Sequence, residues 1–581
     1  MLLILLYTAL WALLLITGID VRHPAGLLFL IPLCYLAFHT GWPVPAPGQK
    51  ELSRPQRLRM IAVSAAAAVF ASLCVICFRP RLTARYTSAL FQTLNLSVLW
   101  CGCLSLVILC LFRFPKPRFP DFPRRIAPRT AFFGTLLLCL LAWMPMFLFE
   151  YPGIVSADSL VQLEQITGLS PWSNHHPVIH TFLMGVCYRT GVLLFGTSNA
   201  GVACYTLLQM MFLSVCCAAS IRMLALILPP ERHWLIPASA LFFAIVPFHA
   251  VFSVILWKDI PFAGIMLLLT AHLTGMCLLR PRGITLRDYF ILVFLGCCMC
   301  LFRTNGFFAF LASAPFLILA FSGYRKQIFL SCLGALLIAA FARGPMMNTF
   351  GIQQPDTVES LSVPLQQIAR VLVDAEAGSC PPVDTASMQL IEEVIDTTYI
   401  SALYAPDFAD NIKELVRAGR PELLSLQPGR FLRLWLHLLR THPGSYIRAY
   451  LDLMRGYWDP GDLQQIAWID GVIDNRLGLF HSPLLSGPYV RIKEIWLKLG
   501  ETLPVYGLLW NTAFYCWSTV IITVVLLCQR KRTWVVPIPG LMLLATLYIA
   551  TPVASFRYIY CLVCCMPLLT GCCIDKRGTP A

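Results

Sequence analysis

The chain has 581 residues, of which 58% are hydrophobic and 13% are charged, and its mean hydropathy is +0.72. Soluble domains have about 25% charged and about 45–50% apolar residues, so this composition excludes an ordinary soluble protein and predicts one that crosses a membrane many times. The net charge of +15 comes from short loops between apolar runs. That placement is typical of cytoplasmic loops and argues against a nucleic-acid partner.

Cysteine usage agrees with a membrane protein. Most of the 24 cysteines lie inside apolar runs, as Cys297, Cys298 and Cys300 do, where a thiol packs as a small hydrophobic group. The large polar segment in the second half of the chain contains only Cys380. The sequence therefore predicts no disulfide framework.

About fifteen apolar runs along the chain are long enough for a helix, and many are near the roughly 20 residues that a helix needs to cross the hydrocarbon layer, so we expect about 14 transmembrane helices. The first run, 1–18, lacks a basic start and a cleavage site, so we expect a retained helix. The predicted fold class is an all-α polytopic membrane protein. Its predicted parts are N-terminal transmembrane helices (1–129), a transmembrane core (130–343) with a first outer loop (150–199), a mainly helical extracytoplasmic domain (344–504) and C-terminal transmembrane helices (505–581).

The basic loops set the predicted orientation, because Lys and Arg are enriched in cytoplasmic loops. If the loop that ends at Arg129 is cytoplasmic, the run 130–149 carries the chain outward. The loop at Arg280 then returns to the cytoplasm only if one intervening run does not cross. The run 178–195 is interrupted by polar residues, so we expect it to form a helix along the outer interface. The loop 79–85 disagrees, since its arginines fall outside.

A polar island lies between two strongly apolar runs, at 150–180. Ionisable groups held at a bilayer are costly, so those of the island are the first candidates for chemistry. They are Asp158, Glu164, His175, His176 and His180.

Three further polar turns fall on the same predicted membrane face. They are Lys258-Asp259, Arg303-Thr304-Asn305 and Arg557-Tyr558. A carboxylate can accept a proton from an incoming hydroxyl group. Lysine and arginine can hold a phosphate leaving group, and arginine can do so with two parallel hydrogen bonds. We therefore expect the island and these turns to form one site on the extracytoplasmic face.

These motifs resemble the GT-C superfamily, integral membrane glycosyltransferases that use polyprenyl-phosphate sugars. Asp158 and His176-Pro177 resemble the acidic residue and the His-Pro helix start of the first outer loop in that superfamily. The Lys258-Asp259 turn resembles the second outer loop, and Arg557-Tyr558 resembles a C-terminal Arg-Tyr signature. From about residue 130 to 570, the chain is also similar to an uncharacterised family of bacterial multi-spanning membrane proteins.

The resemblance implies transfer of a sugar from a polyprenyl-phosphate donor to a glycan, lipid or protein acceptor outside a bacterial plasma membrane. Asp158 would be the catalytic base. The implied substrate-binding residues are His175, His176, His180, Glu164, Lys258, Asp259, Arg303, Asn305, Arg557 and Tyr558. Among these, the lysine and the two arginines would stabilise the departing phosphate.

The same resemblance bears on metal use. The usual His-Pro-Pro is here His176-Pro177-Val178, and no second acidic residue lies close to Asp158 in sequence. Both departures favour the members of the superfamily that work without a metal. We therefore predict no cofactor, and membrane lipids as the surroundings of the site.

Each candidate also has a structural interpretation. Asp158 and Asp259 could cap the helices that begin beside them. Lys258 could extend from the end of a span to the surface, and Arg303 and Arg557 could contact lipid phosphates. The aromatic residues of these turns could be interface anchors.

Two other classes of function remain open, a secondary transporter and a non-enzymatic assembly protein for envelope polymers. A transporter usually has ionisable residues near the middle of its spans and internal repeats, whereas these residues lie at predicted span ends. The sequence has no Gly-rich nucleotide loop and no clustered Cys/His metal spacing, so it does not favour a cytosolic nucleotide donor.

Two stretches of the polar segment, 430–439 and 446–457, predict amphipathic helices. Such helices can rest at a membrane interface or form the core of a domain. The sequence leaves both possibilities open.

Overall fold

The computed structural model describes residues 1–39, 42–43, 61–62, 65, 89–114, 125–280, 283–462, 471–529 and 531–575. The regular secondary structure of these residues is helical, apart from the two-residue strands β1 (Trp42–Pro43) and β2 (Phe112–Arg113), which pair in parallel. The predicted basic loops at 50–59, 79–85 and 115–124 lie outside the described residues, as does the tail after Asp575.

The chain divides into two compact units. The first contains Met1–Asp121 and Glu494–Phe514, and the second contains Phe122–Lys493 and Tyr515–Ala581. The α-helices of the first unit are α1 (Leu2–Thr17), α2 (Leu30–His39) and α3 (Ala89–Leu111). Helices α1 and α3 pack closely because Gly102 has no side chain: a Cβ there would lie 2.2 Å from that of Ala12.

The second unit holds most of the helices. Its first helices are α4 (Pro128–Phe149), α5 (Ala157–Thr167), α6 (Val178–Phe195), α7 (Ser198–Ile227), α8 (Leu235–Ile245), α9 (Pro247–Val254), α10 (Asp259–Leu278), α11 (Leu286–Phe302), α12 (Thr304–Ala320), α13 (Arg325–Phe341) and α14 (Met347–Thr349). The polar segment then forms α15 (Ser362–Glu376), α16 (Thr385–Val394), α17 (Ile400–Leu403), α18 (Asp410–Ala418), α19 (Glu422–Leu426), α20 (Pro428–Thr441), α21 (Pro443–Leu453) and α22 (Arg455–Trp458).

Two helices, α23 (Pro488–Thr502) and α24 (Thr512–Cys528), have residues in both units, and α25 (Ile538–Ile549) and α26 (Phe556–Ile574) complete the second. Short 3₁₀ turns occur at Pro24–Phe29, Pro230–Arg232, Ser322–Tyr324, Thr357–Leu361, Gly507–Trp510 and Arg532–Val535, and a π turn at Ala342–Met346.

Seven helices of the described residues are long and apolar enough to cross a membrane, or eight if the bent pair Pro230–Ile245 and Pro247–Val254 is one span. The seven are Pro128–Phe149, Val178–Phe195, Ser198–Ile227, Asp259–Leu278, Ser322–Thr349, Arg532–Ile549 and Phe556–Ile574. The protein is therefore an all-α, polytopic membrane protein. The prediction of about fourteen spans, which rests on apolar length, goes beyond this finding.

The lower number of candidate spans has a local cause. Several apolar helices have only 10–17 residues, among them Thr304–Ala320 and Thr512–Cys528. Such helices are shorter than the roughly 20 residues of a full crossing. In addition, the apolar run before residue 80 falls outside the described residues.

The long helices of the second unit connect two distinct ends. At one end, the amide of Ile126 donates to Nδ1 of His233 at 3.0 Å, and Arg280 forms an ion pair with Asp288 at 2.6 Å. At the other end, the Thr206 hydroxyl donates to the carbonyl of Pro152 at 2.9 Å. We call the first the basic end and the second the site end.

Helix α6, which is long and apolar enough to cross a membrane, has contacts at the site end near both of its ends. Near its start, His180 lies 2.6 Å from the hydroxyl of Tyr205, one residue before the Thr206 contact. Just beyond its end, the side chain of Asn199 donates to the carbonyl of Phe480, and Ser482 in turn bonds to Tyr151. Both ends of α6 therefore lie near the island.

The polar segment folds around its own apolar core, built from α15, α16, α18, α20 and α21. Its fully buried residues include Leu365, Ile368, Ile412, Leu438 and Tyr446. Leu434 and Leu438 of α20 thus pack inside the segment, as in the second of the two possibilities that the sequence left open, whereas Leu432 and Leu436 of the same helix are exposed.

The island enters the bundle through Gly153, whose φ is +141°. A Cβ at this position would lie 2.4 Å from the hydroxyl of Thr206 and 2.9 Å from Leu256. We expect Gly153→Val to destabilise the protein by about 1–3 kcal/mol, through the disfavoured backbone angle and through overpacking. The measurement is the apparent Tm of the detergent-purified protein.

The matched control is Gly134→Ala in α4, where a Cβ would meet nothing within 4 Å. We expect its Tm to equal or exceed that of the wild type, because alanine is the better helix former. An unchanged Tm for Gly153→Val would contradict the close packing of the island.

Candidate functional site

Backbone pairing places the island beside the chain that links α9 to α10. The amide of Ile154 donates to the carbonyl of Val254 at 2.9 Å, and the amide of Leu256 donates back to Ile154 at 3.2 Å. On its other side, Val155 pairs with Gly471 and Ile473. The first turn of α5 therefore lies against the first turn of α10.

Side chains strengthen this pairing. The indole Nε1 of Trp257 donates to the hydroxyl of Ser156 at 2.8 Å, and the Ser159 hydroxyl donates to the carbonyl of Leu256 at 2.9 Å. Ser156 occupies the N-cap position of α5 without making a capping side-chain bond. Asp158 lies two residues further on, in the first turn, so the simple capping interpretation of this aspartate does not describe its contacts.

Glu150 fixes the start of the island through a buried ion pair. Its carboxylate is fully buried, lies 2.6 Å from Nζ of Lys493 and accepts the amide of Gly471 at 2.9 Å. A buried carboxylate is stable only when it is paired in this way. Glu150 and Lys493 thus hold the end of α4 in place.

Arg557 joins the island to the last helix. Its Nη1 lies 3.1 Å from Oδ2 of Asp158, and its Nε lies 4.0 Å from Oδ2 of Asp259. Arg303 completes the arrangement, with Nη1 at 2.8 Å from Oδ1 of Asp259. We call Asp158, Lys258, Asp259, Arg303 and Arg557 the charged cluster. The structure thus brings together five residues that the sequence predicted to share a site.

Aromatic rings hold the two guanidinium groups. The Arg557 group lies 5.0 Å from the ring centre of Trp257 and 4.9 Å from that of Tyr558. The Arg303 group lies 4.7 Å from the same tyrosine ring. Cation–π contacts of this kind stabilise arginines that are partly removed from water, so Tyr558 positions both of them.

Lys258 contacts a histidine of the island. Its Nζ lies 3.0 Å from Nδ1 of His176. Because an ammonium group can only donate, the histidine accepts, and its own proton is on Nε2. Burial, and then the charge of Lys258, lower the pKa of His176 to about 2. His176 is therefore neutral at physiological pH.

The charged cluster has an excess of positive charge. Three cationic residues and two carboxylates leave one net positive charge, since His176 is neutral. Among the described residues, no carboxylate lies within 4.0 Å of Lys258. Burial lowers the pKa of Lys258 against the opposing effect of Asp158 and Asp259. An anion bound here would supply the missing partner.

Asp158 is held as a carboxylate. Burial raises the pKa of Asp158, but the positive charges of Arg557 and Lys258 together outweigh burial and bring it below the ordinary value. About a third of its side chain is exposed, at 34%. Asp158 is therefore ionised at physiological pH and accessible.

Asp259 differs from Asp158 in being enclosed. Its side chain is 1% exposed, and neither carboxylate oxygen accepts a well-aligned hydrogen bond among the described residues. The 2.8 Å contact with Arg303 is therefore an ion pair without hydrogen-bond alignment. Asp259 is suited to hold the two arginines rather than to exchange protons with solvent.

Helix starts add to the positive potential. The members of the charged cluster lie at the N-terminal ends of α5, α10, α12 and α26. The N-terminus of a helix carries about half a positive charge, so four of them favour an anion at this place.

His176 and Tyr558 contact the charged cluster without belonging to it, and four other predicted substrate-binding residues also lie outside it. His180 is fully buried and contacts Gln162 and Tyr205 through its two ring nitrogens. Glu164 accepts from the hydroxyl of Ser170 at 3.0 Å. Asn305 lies in the first turn of α12, and His175 is 4.0 Å from Glu359. The structure does not bring these four together.

Sequence reasoning missed two residues that contact the island, Gln353 and Glu359. Gln353 exchanges backbone hydrogen bonds with Trp172 and Asn174 of the island, at 3.0 and 2.8 Å. Glu359 also binds Lys413 at 3.0 Å. No motif marks these residues, and they are about 180 positions from the island. Through them, the polar segment lies directly against the site.

The polar segment also touches the site from the side of α26. The amide of Ala409 donates to the carbonyl of Pro552 at 2.8 Å, and the Tyr457 hydroxyl lies 3.4 Å from both the carbonyl of Val553 and the amide of Ser555. These contacts place the segment beside the turn that leads to Arg557.

Within the part of the chain that the structure describes, no three His, Cys, Asp or Glu side chains are arranged to hold a metal ion. The ionisable side chains of the site are instead divided between cations and carboxylates that pair with one another. Charge pairing therefore accounts for the arrangement of this site.

Comparison with known proteins gives one match. The model of a family of unknown function, DUF6020, matches residues 167–577. This range includes His176, Lys258, Asp259, Arg303 and Arg557, and it begins after Asp158. No curated protein and no solved structure matches the chain. Because the matched range covers more than half of the sequence, the protein belongs to the DUF6020 family.

Proposed function

We propose that the protein is a membrane glycosyltransferase of GT-C type that moves a sugar from a polyprenyl-phosphate donor to an extracytoplasmic acceptor. The observation that carries this proposal is the Asp158–Arg557 ion pair beside Asp259 and Arg303. It combines an accessible carboxylate with cations suited to phosphate, at one end of a membrane bundle. A bacterial plasma membrane and an outward-facing site belong to the same proposal.

The donor phosphate is proposed to bind among Lys258, Arg303 and Arg557. The single excess positive charge and the four helix starts favour an anion there. Membrane helices surround the site end, so the polyprenyl chain can remain in the bilayer while its phosphate reaches the cluster. The interfacial position of α6 and a total near fourteen crossings, inferred from apolar length, are further parts of the proposal.

Binding of the phosphate would release Asp158. In the structure Arg557 pairs with the carboxylate, and a phosphate would compete for the same guanidinium group. Loss of this partner would bring the pKa of Asp158 closer to its ordinary value and make it a stronger base. Binding of the donor would thereby make Asp158 a stronger base for the transfer step.

Transfer would then proceed in one displacement. The acceptor hydroxyl gives its proton to Asp158 while its oxygen forms a bond to the anomeric carbon of the sugar. The bond from that carbon to the phosphate oxygen breaks, and polyprenyl phosphate leaves with the electron pair. Lys258, Arg303 and Arg557 stabilise the charge that develops on the leaving phosphate.

Secondary transport is the second candidate, and one observation favours it. Helices α8 and α9 are bent by 52° at their break, and His249, fully buried, lies just after the bend. Broken helices are common at transporter binding sites. The charged cluster, however, lies at the helix ends and not at this break.

Replacement of the base tests the proposal. We expect Asp158→Asn to lower sugar transfer from a polyprenyl-phosphate donor by about 100-fold or more, because the amide cannot accept the proton. The measurement is transfer of radiolabelled sugar in membranes, with the protein level checked by immunoblot. Glu392→Gln, at an exposed site on α16, is the matched control and should keep full transfer. Full transfer by Asp158→Asn would remove this residue from the mechanism.

Lys258→Gln gives a second test with two readouts. Loss of its charge should raise KM for the donor by about tenfold, since hydrogen bonds to charged groups contribute about 1.5–3 kcal/mol. Lys258 also lowers the pKa of Asp158, so its removal should raise that pKa. As the pH is lowered, Asp158 of the variant should therefore be protonated, and activity lost, at a higher pH than in the wild type. In the wild type the lowered pKa of Asp158 keeps this base ionised at mildly acidic pH, and Lys258→Gln would reduce that effect.

The charge-preserving variant Lys258→Arg is the control. It should keep both the donor KM and the acid limb near those of the wild type. If Lys258→Gln left KM and the acid limb unchanged, the proposed phosphate site would be wrong.

A further inference from the structure

Helix α21 carries an apolar face that is exposed. Ile447 and Leu451, four residues apart on one face, are 58% and 43% exposed. The opposite face, with Tyr446, Ala449 and Leu453, is buried against the polar segment. The helix is therefore packed on one side and uncovered on the other.

Hydrogen bonds connect this face to a membrane helix. Nε1 of Trp458 donates to the carbonyl of Leu451 at 3.0 Å, and Nε1 of Trp517 donates to the carbonyl of Trp458 at 2.9 Å. Trp517 lies in the apolar helix α24, whose Ile521 and Val524 are about half exposed. The face of α21 is thus linked to α24, a helix with an exposed apolar side.

The other side of α21 is fixed to a second membrane helix. The hydroxyl of Tyr450 donates to the carbonyl of Tyr548 at 3.0 Å, next to the end of α25. The C-terminal half of α21 is therefore linked to α25 through Tyr450 and, by way of Trp458, to α24. Tryptophan and tyrosine are enriched at the level of the lipid headgroups, and Tyr450, Trp458 and Trp517 are residues of these two types.

We propose that the face formed by Ile447, Leu451 and Trp458 docks into the headgroup region of the bilayer and anchors the polar segment to the membrane. Its occupant is phospholipid, because the face is linked to α24, a helix with an exposed apolar side. Arg448 is exposed beside Ile447 and adds attraction for anionic headgroups. This inference does not rest on the proposed transferase activity.

The membrane anchor would also steady the site. The chain after α22 leads to the Gly471 and Ile473 contacts of the island, and Tyr457 contacts the turn before Arg557. A helix held in the interface plane would keep these contacts at a constant depth relative to the membrane.

Site-specific photo-crosslinking tests the proposal. The photoreactive residue p-benzoylphenylalanine would replace Leu451 or, in a separate protein, Ile447, and the full-length chain would be placed in nanodiscs of equal phosphatidylglycerol and phosphatidylcholine. Ile521 on α24 is the lipid-facing reference. Glu392, exposed on α16, is the control outside the anchor. Irradiation followed by intact-mass measurement reports covalent lipid adducts.

We expect Leu451 and Ile447 to form phospholipid adducts to within about threefold of Ile521 and at least about tenfold above Glu392, as an interfacial helix would. Arg448→Gln should reduce the share of phosphatidylglycerol among those adducts by about twofold. Two positions are used because one of the replacements can disturb the fold. Gel filtration of each variant identifies the variants that stay folded, and the adducts are compared for those. Adducts no more frequent than at Glu392, or adducts with a second protein chain, would overturn the proposal.

Discussion

The ion pair between Asp158 and Arg557 is the contact on which the arrangement of the site depends. It joins residues 399 positions apart and brings the first turn of α5 to the first turn of α26. Arg557 also reaches Asp259, which Arg303 holds from the other side. One guanidinium group thus ties together helices from the beginning, middle and end of the second unit.

Charges in such a place are stable only because each has a partner. Removing one member of a paired, partly buried set leaves an uncompensated charge, which is more damaging than losing a surface salt bridge. The exception is Lys258, whose Nζ contacts the neutral His176. A site that is balanced except for one cation is suited to bind one anion, which connects the geometry to the proposed phosphate donor.

Sequence reasoning reached the residues of the charged cluster because their chemistry is unusual in an apolar chain. Asp158, Lys258, Asp259, Arg303 and Arg557 each interrupt or border a hydrophobic run, and such ionisable residues are costly in a membrane protein. The same logic selected His180, which contacts Gln162 and Tyr205, and Glu164, which accepts from Ser170. A sequence shows that a residue is polar but not which way its side chain points.

Other features could not be read from the sequence at all. The contacts of Gln353 and Glu359 with the island depend on how the polar segment folds back, which no local pattern encodes. The hydrophobic pattern of α20 was compatible with a membrane interface, but tertiary packing buries Leu434 and Leu438 in the domain core. Exposed apolar residues remain on both α20 and α21.

The most direct test of the account is the affinity of the purified protein for a short-chain polyprenyl phosphate. If a phosphate and Asp158 compete for Arg557, Asp158→Asn should bind this ligand several-fold more tightly than the wild type, even though it cannot transfer sugar. The double variant Asp158→Asn/Arg557→Gln should lose that gain, because the shared guanidinium group is gone. Unchanged or weaker binding by Asp158→Asn would contradict the central claim that the carboxylate and the donor phosphate share one arginine.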